Sequence, residues 1–200
     1  MKYQNLEYGR IYHIYNRGNN HEKLFFEDEN YFYFMKLYEK YLLPVLDLYC
    51  YCLLPNHFHF LIRVKEESEI SEMIKTSKVS KTFEVWRPFA NFFNAYAKAI
   101  NKKYQREGSL FQYKFKRKEI TTEKYFYNLV HYIHANPQKH NIVDDFRKYR
   151  FSSYQAIISD KPSKINKDVE IKWYETLQNI VYCHSREVNE ESIQDLIIED

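Results

Sequence analysis

The chain has 200 residues, of which 44% are hydrophobic and 28% charged, a composition typical of a globular protein long enough to bury a substantial core. Its three glycines exclude a glycine-rich phosphate-binding loop, and no apolar run approaches the roughly 18 residues that a membrane span requires. The net charge is only +3, but aromatic residues make up an unusual 18%, with 20 tyrosines and 15 phenylalanines.

The N-terminal part of the chain indicates three strands and one helix. Arg10–Tyr15 is rich in strand-forming residues and runs into an asparagine-rich loop. A helix is predicted from about Asp28, whose residue type is favoured at N-caps. Val45–Leu54 is predicted to be a buried strand, and the tight turn at Pro55-Asn56 returns the chain antiparallel over His57–Val64.

The middle of the chain adds a second helix and a fourth strand. After the polar residues 65–81, a helix is predicted to start near Pro88. The strand Phe111–Lys118 alternates, which predicts Phe111, Tyr113 and Phe115 on one face and Gln112, Lys114 and Lys116 on the other. The order βαββαβ is that of the α+β ferredoxin-like fold, whose antiparallel sheet carries its helices on one face and leaves the other face open.

A further helix follows the sheet, from about Thr121 to Ala135. Asn136-Pro137 is predicted to close this helix, because proline disfavours the α conformation at the residue before it. Two more helices are predicted near the C-terminus, at about 170–182 and 188–198.

Charge divides the chain into two parts. Residues 159–200 contain 10 acidic and 5 basic residues, a net charge of −5, which leaves +8 on residues 1–158. We therefore predict a basic domain at 1–158 and an acidic, mostly helical C-terminal extension at 159–200. The extension is expected to regulate access, to cover the open sheet face or to mediate self-association, and the sequence does not choose among these roles.

Two histidines stand out in the third predicted strand. Residues two apart on a strand point to the same side, so His57 and His59 leave one face while Phe58 and Phe60 leave the other. Paired imidazoles on an open face suit a metal-assisted reaction on an extended substrate, but a third protein ligand is then required. The alternative is that both histidines only form hydrogen bonds with their neighbours.

Asn136 is a candidate for the third ligand, because an amide oxygen suits a hard cation. It lies one helical turn beyond Tyr132, so a metal held there would lie near that phenol. A phenol with its ordinary pKa of about 10 needs a nearby cation or a polarised phosphate to act as a nucleophile. Since tyrosine is abundant in this chain, a purely structural role for Tyr132 is the alternative.

The cysteines and the remaining histidines carry less weight. Cys50, Cys52 and Cys183 are an odd number without CxxC spacing, and no apolar signal segment opens the chain, so we expect reduced thiols and a cytoplasmic location. A zinc site that combines Cys50 and Cys52 with the histidine pair would stack its ligands along a flat sheet rather than around a tetrahedron. His131 and His134 are expected to flank the site or to lie at the surface.

A basic segment runs from the end of the second predicted helix through the last predicted strand. Residues 102–118 hold seven basic side chains against one acidic side chain, and they are interleaved with aromatic residues. This pattern fits a nucleic-acid partner and fits a solvated charged face equally well. The candidate contacts are Lys114, Lys116, Arg117 and Lys118, together with Arg17 in the asparagine-rich loop.

Five short motifs occur in order over about residues 8–157: Tyr12-His-Ile-Tyr-Asn-Arg-Gly-Asn-Asn20, Leu54-Pro-Asn-His-Phe-His-Phe60, Gly108-Ser-Leu-Phe-Gln112, Tyr132-Ile-His-Ala-Asn-Pro137 and Ser152-Ser-Tyr154. Each motif is modest, but the ordered set resembles the REP-associated tyrosine transposases. This family belongs to the superfamily of single-tyrosine transposases with a His-hydrophobic-His (HUH) pair.

The resemblance implies a domain that cuts and rejoins single-stranded DNA next to a hairpin. By this resemblance His57, His59 and Asn136 bind a divalent metal, Mg²⁺ or Mn²⁺, and Tyr132 is the nucleophile that forms a 5′-phosphotyrosine link. Members of the superfamily act as monomers or as dimers, so a homodimer is one of two expected states. Two alternatives stay open: a replication or mobilisation nuclease of the same superfamily, and a module that binds DNA or RNA hairpins without cutting them.

Overall fold

The computed structural model describes residues 6–74, 85–159, 161–167 and 174–186. Their elements follow the order β1-α1-β2-β3-α2-α3-β4-α4, and two shorter helices, α5 and α6, come after them. The bounds are β1 Ile11–Arg17, α1 Asp28–Tyr41, β2 Leu46–Leu54, β3 His57–Val64, α2 Glu67–Ile74, α3 Trp86–Lys103, β4 Lys116–Glu119, α4 Glu123–Lys139, α5 Tyr154–Ile157 and α6 Leu177–Cys183.

The four strands form one antiparallel sheet in the order β2-β3-β1-β4. Strand β3 therefore lies between β1 and β2. This order is that of the βαββαβ pattern, in which helices connect β1 to β2 and β3 to β4. The ferredoxin-like α+β fold predicted from the sequence is confirmed. The short helix α2 falls in the polar stretch at 65–81, for which the sequence indicated no element, and residues 75–81 lie outside the described residues.

The first face of the sheet packs on α1 and α3. Alternate residues of the central strands, such as Ile14, Phe58 and Phe60, are at most 1% exposed and meet aromatic residues of the two helices, among them Phe34 and Phe92. Burial of several large rings stabilises this side strongly, because the hydrophobic contribution grows with the apolar area removed from water. Helix α3 contributes Phe89, Phe92 and Tyr96 to this core.

The second face of the sheet is covered as well. A second cluster joins Cys50 and Leu61 of the sheet to Leu129 and Ile133 of α4, and Ile180 of α6 packs into the same cluster. Helix α4 therefore lies over β2 and β3 on the side opposite α1 and α3. The sequence predicted the helix α4, but not that its apolar side chains would cover the second face of the sheet.

Two predicted boundaries are wrong. The ladder of β4 begins only at Lys116, because Lys114 adopts a left-handed backbone with φ 65° and interrupts the predicted alternation. Phe111 is 7% exposed, whereas Tyr113 is 88% exposed and does not share its face. Helix α4 continues through Pro137 to Lys139, because a proline in the last turn leaves only one backbone acceptor without its usual donor.

The described part of the C-terminal extension packs on the domain. Tyr174 and Ile180 are buried in the second cluster, and His184 at the end of α6 is 2% exposed. The predicted helix at 188–198 and the start of the one at 170–182 lie outside the described residues. None of the described helices combines the length and the apolar character needed to cross a membrane.

Candidate active site

The two histidines of β3 share one face of the sheet, as their spacing predicted. Their ring centroids are 5.2 Å apart, and the planes are nearly perpendicular. The prediction that this face of the sheet is open is wrong, because α4 covers it. His57 is 7% exposed and His59 is 5% exposed. The pair therefore lies in a buried environment between sheet and helix.

Hydrogen bonds set the orientation of both rings. Asn56 Oδ1 lies 2.7 Å from His57 Nδ1 and accepts a hydrogen bond from it. His59 Nδ1 lies 2.9 Å from His13 Nε2, and His59 Nε2 is buried without a hydrogen-bond partner among the described residues. When Nδ1 of a neutral imidazole is the donor in such a hydrogen bond, the lone pair lies on Nε2, which is the usual arrangement around a metal-binding histidine.

Burial keeps His59 and His13 neutral. The pKa of His59 lies well below its ordinary value, first because burial penalises the charged form and second because His13, His57 and His140 are close. Burial alone lowers the pKa of His13 to about 3. A neutral imidazole is the form that binds a metal ion.

Helix α4 brings Tyr132 to the histidines. Its ring lies edge-on to His59, with centroids 5.8 Å apart, and Lys139 Nζ lies 5.2 Å from the centre of the tyrosine ring. Thr122 caps the helix and accepts a hydrogen bond from the backbone N–H of Tyr125. Tyr132 is only 1% exposed.

Asn136 lies one turn further along α4 and is fully buried. Its Nδ2 donates to the carbonyl of Tyr132 at 2.8 Å, and its Oδ1 has no hydrogen-bond partner in the described part of the chain. Leaving such an acceptor buried and unsatisfied costs about 1–3 kcal/mol of folding free energy. Asn136 Oδ1 is therefore a candidate to bind a ligand.

The two histidine rings and Asn136 Oδ1 are the candidates for holding a metal ion. The described residues hold no cluster of three or more histidine, cysteine, aspartate or glutamate side chains suited to a metal. Cys52 pairs with His59 across the strands, but burial raises the pKa of its thiol well above the ordinary value, which disfavours the thiolate that zinc requires. Two imidazole nitrogens and the Asn136 amide oxygen would combine a donor type that Zn²⁺ prefers with a carbonyl-type oxygen that Mg²⁺ and Mn²⁺ prefer.

Three residues near the site were missed by the sequence analysis. His13 bonds to His59, Tyr15 stacks on His13 at 4.7 Å, and the His140 ring lies 4.9 Å from that of His57. Antiparallel pairing of the first and third strands would have predicted the position of Tyr15, which lies opposite His59. His140 follows Asn136 at the helical spacing of four.

The predicted basic residues fall on two faces of the edge strand. Lys116 pairs with Tyr15 and Lys118 with His13, which places both lysines on the histidine face, whereas Arg117 lies on the other. Lys114 precedes the strand and is exposed. Arg17 pairs with His57 in the sheet register, and its guanidinium Nη1 lies 3.3 Å from His21 Nδ1.

Two further histidines, His134 and His184, form a buried network with Ser153. His134 Nδ1 lies 2.8 Å from His184 Nε2, and His134 Nε2 lies 2.6 Å from Ser153 Oγ. Ser153 Oγ in turn accepts from the backbone N–H of Tyr51 in β2. The expectation of surface positions for His131 and His134 is wrong, because α6 covers them and leaves them 7% and 0% exposed.

Comparison with known proteins gives one informative likeness. No protein-family profile matches the sequence, and no curated protein matches it either. Among solved structures, the fold is similar to that of a REP-associated tyrosine transposase bound to a REP hairpin. The TM-score is 0.60 at 16% sequence identity, over 81% of this chain and 88% of the other.

The chain has the fold of a REP-associated tyrosine transposase. The motifs that carried the resemblance to these transposases meet in space around the histidine pair. Gly18 donates its backbone N–H to Asn56 O at 2.7 Å and forms a β-bridge with Phe111, and Ser152 forms one with Cys52. Gly18 is required there, since a Cβ atom would lie 1.9 Å from the carbonyl oxygen of Glu22.

Proposed function

We propose that this protein is a metal-dependent endonuclease and strand transferase that cuts single-stranded DNA next to a hairpin, as a transposase of the HUH type. The observation that carries the proposal is the contact between the His57–His59 pair and Tyr132, in which His59 Nε2 is buried and unpartnered. The likeness to a transposase bound to a REP hairpin supports the choice of partner.

In the proposed reaction Tyr132 Oη attacks the scissile phosphorus. A bond forms between this oxygen and phosphorus while the bond to the 3′-oxygen breaks. The phenol releases its proton to solvent, and the departing 3′-oxygen takes one up. The 5′-phosphate stays on Tyr132, so one phosphodiester replaces another and rejoining needs no separate energy source.

His57, His59 and Asn136 are the proposed holders of a Mg²⁺ or Mn²⁺ ion, which would polarise the scissile phosphate. Two imidazole ligands favour Mn²⁺ over Mg²⁺. The chain itself places the Lys139 ammonium beside the Tyr132 ring, where negative charge develops on the attacking and phosphoryl oxygens. His13 fixes the ring of His59 in the orientation that presents Nε2.

Burial of Tyr132 sets a condition on this reaction. Because only 1% of the residue is exposed, a phosphate reaches its oxygen only after the residues that cover it have moved. The same burial favours the second candidate function, a module that binds a hairpin without cutting it.

Formation of a covalent protein–DNA adduct distinguishes the two functions. We expect the protein, incubated with Mn²⁺ and single-stranded DNA that carries a hairpin, to give an adduct that survives denaturing electrophoresis. Tyr132→Phe should abolish the adduct and keep DNA binding, whereas the matched control Tyr125→Phe, two turns earlier on α4, should retain it. An adduct from Tyr132→Phe rules out this nucleophile, and binding without any adduct across a metal screen supports the non-cleaving module.

A further inference from the structure

Tyr113 is the most exposed of the large hydrophobic residues in the described part of the chain. Its exposed fraction is 88%, against 61% for Tyr182 and 58% for Phe32. The neighbours that alternate with it, Phe111 and Phe115, pack on the core beside α3. A regular strand would have buried all three rings, so the chain departs from the pattern that its sequence favours.

A strained turn holds Tyr113 outward. Lys114 has φ 65°, in the left-handed region that costs a residue with a side chain about 1 kcal/mol. Strain of this kind is retained where the surrounding structure determines it, and it concentrates at functional positions. The Tyr113 ring is therefore exposed because of the backbone conformation, and not because a hydrophobic core is lacking nearby.

The position of this turn relates Tyr113 to the candidate active site. Gln112 donates its backbone N–H to Arg17 O at 2.9 Å and accepts from Asn16 Nδ2 at 3.4 Å. Arg17 is opposite His57 in the sheet register. The backbone at Gln112, the residue before Tyr113, therefore lies about 10 Å from that of His57, which corresponds to two strand spacings.

Positive charges and aromatic rings alternate between Tyr113 and the histidines. Lys114 Nζ lies 5.2 Å from the centre of the Tyr113 ring, and Lys116 Nζ lies 6.0 Å from that of Tyr15. Tyr15 in turn stacks near His59, with centroids 5.8 Å apart. Cations with accessible aromatic faces are the combination that binds single-stranded nucleic acid, because the charges attract the backbone and the rings stack on bases.

We propose that Tyr113 stacks on an unpaired base of the DNA strand that connects the hairpin to the scissile phosphate. It thereby sets which nucleotide enters the site. This inference rests on the proposed function, but it needs only the binding of a DNA strand and not its cleavage. The interior of a duplex would leave the ring without a partner, since bases there stack on one another and expose no face to it.

The test compares two DNA probes: a hairpin with an unpaired 5′ flank of several nucleotides, and the same hairpin without a flank. 2-Aminopurine is placed at each flank position in turn. We expect one position to show strong fluorescence quenching on binding, and Tyr113→Ala to remove that quenching. Tyr113→Ala should weaken binding of the flanked hairpin about tenfold, the loss typical of one stacked base, and leave the flankless hairpin unaffected.

Two variants serve as controls. Tyr113→Phe keeps the ring and should behave as the wild type, and Tyr182→Ala removes an exposed tyrosine elsewhere and should have no effect. Equal weakening for both probes, or unchanged quenching in Tyr113→Ala, overturns the proposal. These measurements need no metal and no adduct, so a protein that never cleaves but shows Tyr113-dependent quenching refutes the proposed cleavage alone.

Discussion

Single atoms decide what the candidate site can do. His59 Nε2 and Asn136 Oδ1 are both buried and lack hydrogen-bond partners among the described residues. Proteins rarely leave buried polar atoms unsatisfied, because each costs free energy that folding does not recover. These two atoms are the ones that the proposed function assigns to a metal ion.

Replacement of Asn136 tests this explanation. Asn136→Ala is expected to reduce Mn²⁺ affinity at least about tenfold, because it removes one of the three proposed protein ligands, whereas Asn136→Asp keeps an oxygen at that position and should still bind the ion. Electron paramagnetic resonance titration with Mn²⁺ measures the affinity without any nuclease assay. Unchanged affinity in Asn136→Ala would show that the third ligand lies elsewhere.

Elements are joined here by buried histidines as well as by apolar contacts. His134 of α4, His184 at the end of α6 and Ser153 before α5 form one hydrogen-bonded chain that reaches the backbone of β2. Burial lowers the pKa of His184 to about 3 and that of nearby His131 to about 4, and the pKa of His134 also lies well below its ordinary value. The folded state thus holds these rings neutral.

A pH dependence of stability follows from this network. The unfolded chain takes up protons below about pH 6.5 while the folded chain does not, so stability is fully present above that pH and falls as the pH drops toward 3. Each such histidine contributes up to about 1.4 kcal/mol per pH unit. Urea unfolding at pH 7, 6 and 5 should show the decline, with a shallower slope for His184→Gln than for the wild type.

An exposed histidine provides the matched control. His21→Gln should leave the slope of stability against pH unchanged, because His21 is exposed and lies outside the buried histidine network. If His184→Gln has the slope of the wild type, His184 is not among the groups that cause the decline.

At the scale of the whole molecule, the tyrosine and the histidines of the site belong to one chain. Helix α4 packs on β2 and β3 of its own sheet, and α6 packs on α4 through the second cluster. The C-terminal extension thus helps to hold the tyrosine helix in place. A single copy of the chain contains every residue that the proposed reaction uses.

Concentration dependence tests this arrangement. Adduct formed per protein molecule should stay constant over a hundredfold range of protein concentration with DNA in excess, because no second copy is required. A mixture of Tyr132→Phe with His57→Ala protein should then form no adduct. Recovery of adduct in that mixture would mean that two copies exchange α4.

The sequence was most informative where a pattern is local. The antiparallel return at Pro55-Asn56 and the same-side position of His57 and His59 follow from strand geometry and turn chemistry, and the structure confirms both. Chain order alone predicted the ferredoxin-like sheet, because split βαβ units have few ways to connect.

Other features depend on contacts between distant residues. The burial of His57 and His59 follows from α4 lying over them, and periodicity shows that a helix has an apolar face but not what the face covers. His184 joins His134 across 50 positions of sequence.

By itself, therefore, the sequence determined the strands, the order of the elements and the residue types available for chemistry, because these depend on local backbone preferences and on side-chain alternation. Only the tertiary structure decided that the histidine pair is buried, that Asn136 Oδ1 and His59 Nε2 lack partners and that Tyr113 points outward. The reason is physical: burial, hydrogen-bond satisfaction and pKa depend on which distant residues displace water from a side chain.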